Sequence, residues 1–378
     1  MDKVEAKDDV SVVTFGMLTL DDIVFEKVDG QANKNDKTGV LGGAGTYAVI
    51  GARMMAGPRD ANTISWVVHV GNDFPASVKD EIDSWGIRTM YIDTLNRPTT
   101  KARNSYRGED RGFKFTTEKI QVTHSMLDDA QVNAKVFHII GTPRRCLDLV
   151  AGVLARRSAI WNSDPSLARN IAQFVWEPME HSCLPGNMAE FCEVMKVVDV
   201  FSPNEIEFAQ LIGYGLSGFE TLPTDVMEEQ GRQLMTECNL KALVVRLGAR
   251  GVFMLERRSN LFRCNLPAYH NTSTQDPSET AVIDVTGGGN AFLGAYCYIL
   301  GIESDDTSNK KPEFTHFEAA MGGNIAASFV IEQFGMPKRS VLEQGSKMCE
   351  CWGNGKESTF ERLARYRGFS SERVKQGI

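Results

Sequence analysis

Asp284, three consecutive glycines and Asn290 stand together in Ile283-Asp284-Val285-Thr286-Gly287-Gly288-Gly289-Asn290, and an apolar run over 291–300 follows. The pattern describes a backbone turning sharply into a helix with no side chains in the way. The first amides of a helix lack intrahelical acceptors, and the helix dipole places partial positive charge there, so phosphate oxygens can sit against bare backbone. Glycine permits that approach because it carries no Cβ. Asn290 can position a hydroxyl but cannot take its proton, since an amide has no site of useful basicity near neutral pH.

Other strings with chemical potential fall where short strands give way to helices. Asp21, at the end of Gly16-Met17-Leu18-Thr19-Leu20-Asp21, could accept two hydroxyl hydrogen bonds or could cap a turn. Gly42 and Gly43 begin Gly42-Gly43-Ala44-Gly45-Thr46-Tyr47, which reads either as a helix start able to carry a ligand or as a turn for close helix–strand packing. Asn204 and Glu207, in Pro203-Asn204-Glu205-Ile206-Glu207, offer oxygen ligands of the kind Mg²⁺ takes, yet proline followed by acids is also ordinary helix-start grammar. Gly248 and Gly251 form a Gly-x-x-Gly turn after 242–246, which is equally a hairpin signature. Asn324 follows Gly322-Gly323 on a small-residue helix face, and Arg144, in Gly141-Thr142-Pro143-Arg144-Arg145, could reach an anion or sit in solvent at a helix start. Trp176-Glu177-Pro178 ends a strand and reads chiefly as local turn structure, with contact to substrate as the lesser reading, and His138, inside an apolar run, reads as a hydrogen-bonded core residue.

Positioning these residues requires a sheet. Runs rich in β-branched residues at 10–15, 63–70, 89–92, 136–140, 174–176, 197–201 and 242–246 alternate with helical patterns at 44–56, 75–85, 145–157, 187–196, 204–212, 225–238, 290–301 and 316–334. That alternation predicts an α/β fold with a doubly wound, mostly parallel sheet covered on both faces, which binds ligands at its strand C-termini. Residues 26–40 and 96–115 break the pattern, 301–315 read as a surface loop, and 340–378 as a charged helical extension.

In order and spacing these strings resemble the ribokinase-like (PfkB) family of carbohydrate and nucleoside kinases over residues 10–335, with 26–40 and 96–115 similar to its small β lid. The resemblance implies an ATP- and Mg²⁺-dependent phosphotransferase acting on a hydroxyl of a small sugar, polyol or nucleoside. It implies that Gly287, Gly288 and Gly289 stabilise the transferring phosphoryl group beside Asp284, and that Asp21, Gly42 and Gly43 hold the acceptor. It further implies that Asn204 and Glu207 organise the metal and that Gly248, Gly251 and Asn324 border ATP.

In the family the glycine turn reads Asp-Thr-x-Gly-Ala-Gly-Asp, and its final Asp takes the acceptor's proton. Here Asn290 replaces that acid, Val285 the Thr and Gly288 the Ala, while Tyr47 stands where the family has Asn and adds an apolar face on the acceptor side. The Gly-Gly-Gly-Asn variant resembles a fungal branch that includes killer-maintenance proteins. Two readings follow. One is an attenuated kinase whose turnover rises when an acid is restored at 290; the other is a catalytically degenerate nucleotide- or metabolite-binding regulatory protein of the same fold.

Composition narrows the partners. Across 378 residues the formal net charge is −8, which argues against nucleic acid or an anionic membrane surface as a general partner. The sequence has no Gly-x4-Gly-Lys-Ser/Thr of a P-loop kinase and no His-Glu-x-x-His. Eight scattered cysteines without a Cys-x-x-Cys read as reduced thiols. With a charged N-terminal segment and no apolar run of membrane-spanning length, a cytoplasmic location is the expectation. Oligomeric state stays open.

Overall fold

Strand order is the feature that brings the scattered motifs together. The computed structural model describes residues 9–25, 36–107, 110–164, 170–217, 220–271, 282–303, 315–344, 347–353 and 357–375. In chain order its elements are β1 Val12–Thr14, β2 Thr19–Phe25, β3 Lys37–Gly42, α1 Ala44–Ala56, β4 Ile64–Gly71, α2 Ala76–Ser84, β5 Arg88–Thr94, β6 Lys101–Arg107, β7 Asp110–Phe115, α3 Asp129–Val132, β8 Val136–Gly141, α4 Pro143–Ser163 and β9 Gln173–Pro178. There follow α5 Met188–Met195, β10 Val200–Phe201, α6 Glu205–Leu211, α7 Thr224–Cys238, β11 Ala242–Arg246, β12 Val252–Arg257, β13 Leu261–Leu266, α8 Gly288–Glu303, α9 Thr315–Val330, β14 Arg339–Gln344, β15 Lys347–Trp352 and α10 Thr359–Lys375.

Nine strands form the central sheet in the order β13-β12-β11-β10-β9-β8-β1-β4-β5, parallel from β11 to β5 and antiparallel through β12 and β13. Its inner strands are apolar on both faces, as a parallel sheet covered by helices requires. Val136, Phe137 and Ile139 on β8 and Leu243, Val244 and Val245 on β11 are all fully buried. One face packs under α1, α8, α9 and α10, the other under α4, α5, α6 and α7. The α1 and α8 backbones meet directly. A Cβ on Gly51 would strike the Ala291 carbonyl, and one on Gly294 the Ala48 carbonyl, which locks the start of α8 against the sheet.

A separate four-stranded sheet, β3-β2-β6-β7, forms the lid. The two lid segments expected from sequence, 26–40 and 96–115, contribute β3, β6 and β7, although 26–35 lies outside the described residues. The strand β2, which directly follows the motif ending at Asp21, supplies the rest of that sheet. The strand expected over 197–201 shortens to Val200–Phe201, because the amides of Lys196, Val197 and Val198 turn back onto the Cys192 and Val194 carbonyls at the end of α5. Of the loop expected at 301–315, residues 304–314 lie outside the described residues.

The C-terminal segment differs from the uniformly helical expectation. A hairpin, β14 and β15, precedes α10, and the segment is set into the body of the protein. Glu350 of β15 holds the buried Arg53 of α1 through two bonds of 2.9 and 2.8 Å, while Trp352 and Tyr366 are each 1% exposed. All eight cysteines are free thiols. Among the described residues no helix is long and apolar enough to cross a membrane.

Candidate active site

The glycine turn forms the N-terminus of α8. Asp284 builds the turn by accepting from the Thr286 amide at 3.1 Å and the Thr286 hydroxyl at 2.6 Å, and the Ile283 and Asp284 amides anchor the irregular segment leading into it to the Ile331 carbonyl. Gly287 has φ +79°, a left-handed value that costs an L-residue about 1–2 kcal/mol. A Cβ there would also run into the ring of Tyr47. Tyr47 is therefore a prop beneath the turn, 5% exposed, rather than an open face for an acceptor.

Gly288 and Gly289 line a cavity of about 330 Å³. Phe292, Ala327, Ile331, Val282 and Val285 make much of its wall apolar, and Arg246, His270, Asn271 and Asn324 supply polar groups. Gly248 and Gly251 line it too, at the tip of the β11–β12 hairpin, so the two readings of that turn coincide: it is a hairpin and it borders the cavity. Asn324 donates to the Pro267 carbonyl at 3.1 Å and to the Tyr366 hydroxyl of α10 at 2.7 Å.

Directly beside the glycines lies a buried group of charges. A Cβ on Gly289 would come within 2.5 Å of Arg246 Nη1, so the guanidinium rests on the turn. The same nitrogen donates to Glu177 Oε1 at 2.7 Å, and Nη2 donates to the Ser202 carbonyl at 3.1 Å and lies 3.5 Å from Glu207 Oε2. Arg246 Nε is buried without a hydrogen-bond partner among the described residues. Asn290 Nδ2 donates to Glu177 Oε2 at 2.9 Å, and His138, which also bonds Thr14 at 3.1 Å, sits 3.4 Å from that oxygen.

Burial alone would raise the Glu177 pKa, but Arg246 and His138 overcome it and bring it down to about 2. The carboxylate is thus charged throughout the neutral range, and its contribution to stability is complete above the ordinary carboxylate range and lost progressively as pH falls from there to about 2. Glu207 shows the opposite balance. Burial dominates, Arg246 opposes it only in part and Glu177 adds to it, leaving the pKa at about 7.

Asn204 and Glu207 are joined as a capping box on α6: the Glu207 amide donates to Asn204 Oδ1 at 2.8 Å and the Asn204 amide to Glu207 Oε2 at 2.7 Å. Among the described residues no group of three His, Cys, Asp or Glu is arranged to hold a metal ion. That donor set fits a Mg²⁺ that keeps its waters and arrives with phosphates, not one caged by protein.

On the other side of the turn, Asp21 is 7% exposed and accepts from the Thr19 hydroxyl at 2.6 Å and from Asn104 Nδ2 at 3.0 Å. Gly42 packs against its carboxylate, and Gly43 precedes the first turn of α1. From the lid, the Tyr106 hydroxyl donates to Asp284 Oδ2 at 3.1 Å and lies 3.2 Å from Thr286 Oγ1. Tyr106 also stacks on Phe25 and meets Phe334 edge-on, which clasps the lid to the turn.

The structure therefore groups Gly287–Gly289, Asp284, Asn290, Gly248, Gly251 and Asn324 around or next to one cavity, while Asp21, Gly42 and Gly43 gather beneath the lid. Arg144 is exposed on the first turn of α4. The motifs single out neither Arg246 nor Tyr106 for a role, and Glu177 reads in sequence as turn structure. Arg246 and Glu177 both lie at the ends of parallel strands, at the edge where such sheets bind ligands, and that position is the available signal.

Comparison with known proteins adds independent findings. A family profile described as pfkB family carbohydrate kinase matches residues 10–335. An uncharacterized protein of Schizosaccharomyces pombe is 31% identical over 371 residues, spanning 96% of this chain and 94% of that protein. Protein MAK32 of Saccharomyces cerevisiae is 32% identical over 349 residues, spanning 86% of each chain. Both are fungal, in keeping with the branch that the Gly-Gly-Gly-Asn variant resembles. Ribokinase from Giardia lamblia has the same fold, with a TM-score of 0.62 at 19% identity over 86% of this chain and 94% of its own. A putative ribokinase II from E. coli, in complex with ATP and Mg²⁺, gives a TM-score of 0.57 at 16% identity over 86% and 94%.

Proposed function

The chain belongs to the PfkB family of carbohydrate kinases, and from that premise we infer that it is an ATP- and Mg²⁺-dependent phosphotransferase acting on a hydroxyl of a small sugar, polyol or nucleoside. The observation that carries this reading is the Gly288–Gly289 edge of the cavity, where bare backbone at a helix N-terminus and the Arg246 guanidinium converge on one spot. Phosphoryl transfer through a loose transition state is catalysed mainly by positioning and by stabilising charge, and both are provided there without further side chains.

The apolar wall of Phe292, Ala327 and Ile331 suits the flat face of a base, with Asn324 and Asn271 as polar partners at its edge. The amides of the α8 N-terminus and Arg246 receive phosphate oxygens. Mg²⁺, bound with the nucleotide, supplies charge neutralisation across the phosphates, and Glu207 and Asn204 are the residues that would hold its water shell. Asp284 shapes the turn, and Tyr106 closes the lid over it. The E. coli putative ribokinase II in complex with ATP and Mg²⁺ supports the cofactor pair.

A second reading, a nucleotide-binding regulator without transfer, is favoured by one observation: the Asn290 amide is spent on Glu177. One experiment separates the two. Calorimetry with ATP, with and without Mg²⁺, should show metal-dependent binding, and a panel of sugars, polyols and nucleosides should reveal a phosphorylated product. Binding with no product from any acceptor favours the regulator. Absence of nucleotide binding removes both readings.

A further inference from the structure

Transfer of a phosphoryl group to a hydroxyl releases one proton, and a group at the site has to accept it. Around the glycine turn the carboxylates differ in how they are engaged. Asp284 is turned into its own loop by Thr286 and Tyr106, and Glu207 caps α6. Asn290 cannot accept a proton, but its amide points at Glu177 from 2.9 Å, one hydrogen bond behind the first turn of α8. Glu177 is buried, 7% exposed, and both its oxygens are engaged by groups at the site, Oε1 by Arg246 and Oε2 by Asn290.

We propose that Glu177 is the proton acceptor of the reaction, with Asn290 as the positioning residue that orients its carboxylate. As the acceptor oxygen bonds to phosphorus and the bond to the leaving diphosphate oxygen breaks, the hydroxyl proton passes to a Glu177 oxygen, and it leaves to solvent after the product departs. This rests on the phosphotransferase reading above.

The surroundings of Glu177 couple this step to nucleotide binding. Arg246 faces it from β11, His138 from β8, and Asn290 and Cys297 from α8, while Glu207 shares the Arg246 guanidinium from α6. Arg246 lines the nucleotide cavity and rests on Gly289, so phosphate oxygens entering the turn compete with Glu177 for the same cation. Drawing the guanidinium away removes the charge that opposes protonation of the carboxylate, and the base becomes competent when a phosphoryl donor is present.

Exchange of the two side chains tests the idea. Glu177→Gln frees Arg246 for phosphate, so it should bind Mg-ATP at least as tightly as the wild type by calorimetry and lose transfer, to an acceptor or to water, by about 10²–10⁴-fold. The double variant Glu177→Gln/Asn290→Asp keeps an amide–carboxylate pair with the carboxylate moved to the helix, and it should regain at least about tenfold over the single variant. Should Glu177→Gln fail to fold, Glu177→Asp keeps the charge beside Arg246 and should bind nucleotide while transferring more slowly. Wild-type transfer rates in Glu177→Gln or Glu177→Asp, or a double variant that binds nucleotide yet is no faster than the single, would overturn the assignment. A wild-type protein that binds Mg-ATP and transfers to neither hydroxyl nor water would overturn the phosphotransferase reading itself, a result distinct from an active wild type indifferent to residue 177.

Discussion

The two sides of the glycine turn are built differently. On the nucleotide side backbone is exposed to a cavity, its polar groups are spaced along an apolar wall, and the wall is braced from behind by the C-terminal extension. Arg362 of α10 donates to the Ser328 hydroxyl at 2.9 Å and to Glu332 at 2.7 Å, and Tyr366 ties Asn324 to the Pro267 carbonyl. On the acceptor side the polar groups are engaged with one another: Asp21 with Thr19 and Asn104, Tyr106 with Asp284, Asn290 with Glu177. On the proposed function, a preformed anion site would face an acceptor site whose hydrogen bonds are exchanged when a hydroxyl compound enters. The contrast teaches that departure from the usual motif does not mean loss of polar chemistry on that side; the carboxylate has a different address.

The contrast can be broken most directly at Gly287. Gly287→Ala places a Cβ into the Tyr47 ring at a left-handed φ, and nucleotide affinity measured by calorimetry should fall by about 5- to 150-fold, the equivalent of about 1–3 kcal/mol of backbone strain. Retained affinity would mean that the turn does not receive phosphate.

Next in effect on the nucleotide side is the brace. Arg362→Ala leaves the largely enclosed Glu332 with His270, at 3.3 Å, as its ion-pair partner among the described residues, and breaking such a pair costs up to about 3–5 kcal/mol in denaturant unfolding. The milder Tyr366→Phe removes one hydroxyl, about 0.5–1.5 kcal/mol, and should raise the nucleotide Kd while leaving the acceptor KM in place. An unchanged Kd would detach the extension from the nucleotide side.

Asn290→Asp alone sets two carboxylates where an amide now bridges at 2.9 Å. Turnover of this variant on an accepted substrate tests the expectation that an acid at 290 raises the rate, and in the fold that acid has the Glu177 carboxylate as its neighbour. The new acid is weakened in the fold by its charged neighbour, so its folded pKa lies above the unfolded one. Its penalty is absent below the ordinary carboxylate pKa and grows as pH rises, by about 1.4 kcal/mol for every tenfold weakening of the acid. Melting of the variant should therefore fall further below wild type at pH 8 than at pH 5; parallel melting at both would show that the carboxylates do not meet. The smallest effect is expected from Tyr106→Phe, which loosens the lid clasp and should raise the acceptor KM a few-fold with nucleotide affinity intact.

Much of this is legible in the chain. The helix at Ala44–Ala56 can be read to its ends, because apolar periodicity and an N-terminal glycine pair leave little freedom. The glycine turn is legible because three successive glycines before an apolar helix have few other uses. The capping box at Asn204 and Glu207 is legible as grammar, although its proximity to Arg246 is not, since 39 residues separate Glu207 from that guanidinium. The hairpin before α10 escapes the sequence because its charges mask the strand pattern. Tyr47, which in sequence resembles a contact for an acceptor, supports Gly287 instead.

Local chemistry along the backbone was sufficient to decide that this protein is a doubly wound α/β chain of the PfkB family with a bare glycine turn at a helix start, because glycine, helix start and strand period act within a few residues of one another. Only the tertiary structure decided which charge stands beside which. Glu177, Arg246 and Asn290 come from three separate elements, and a carboxylate's strength as a base is set by the groups that surround it in space.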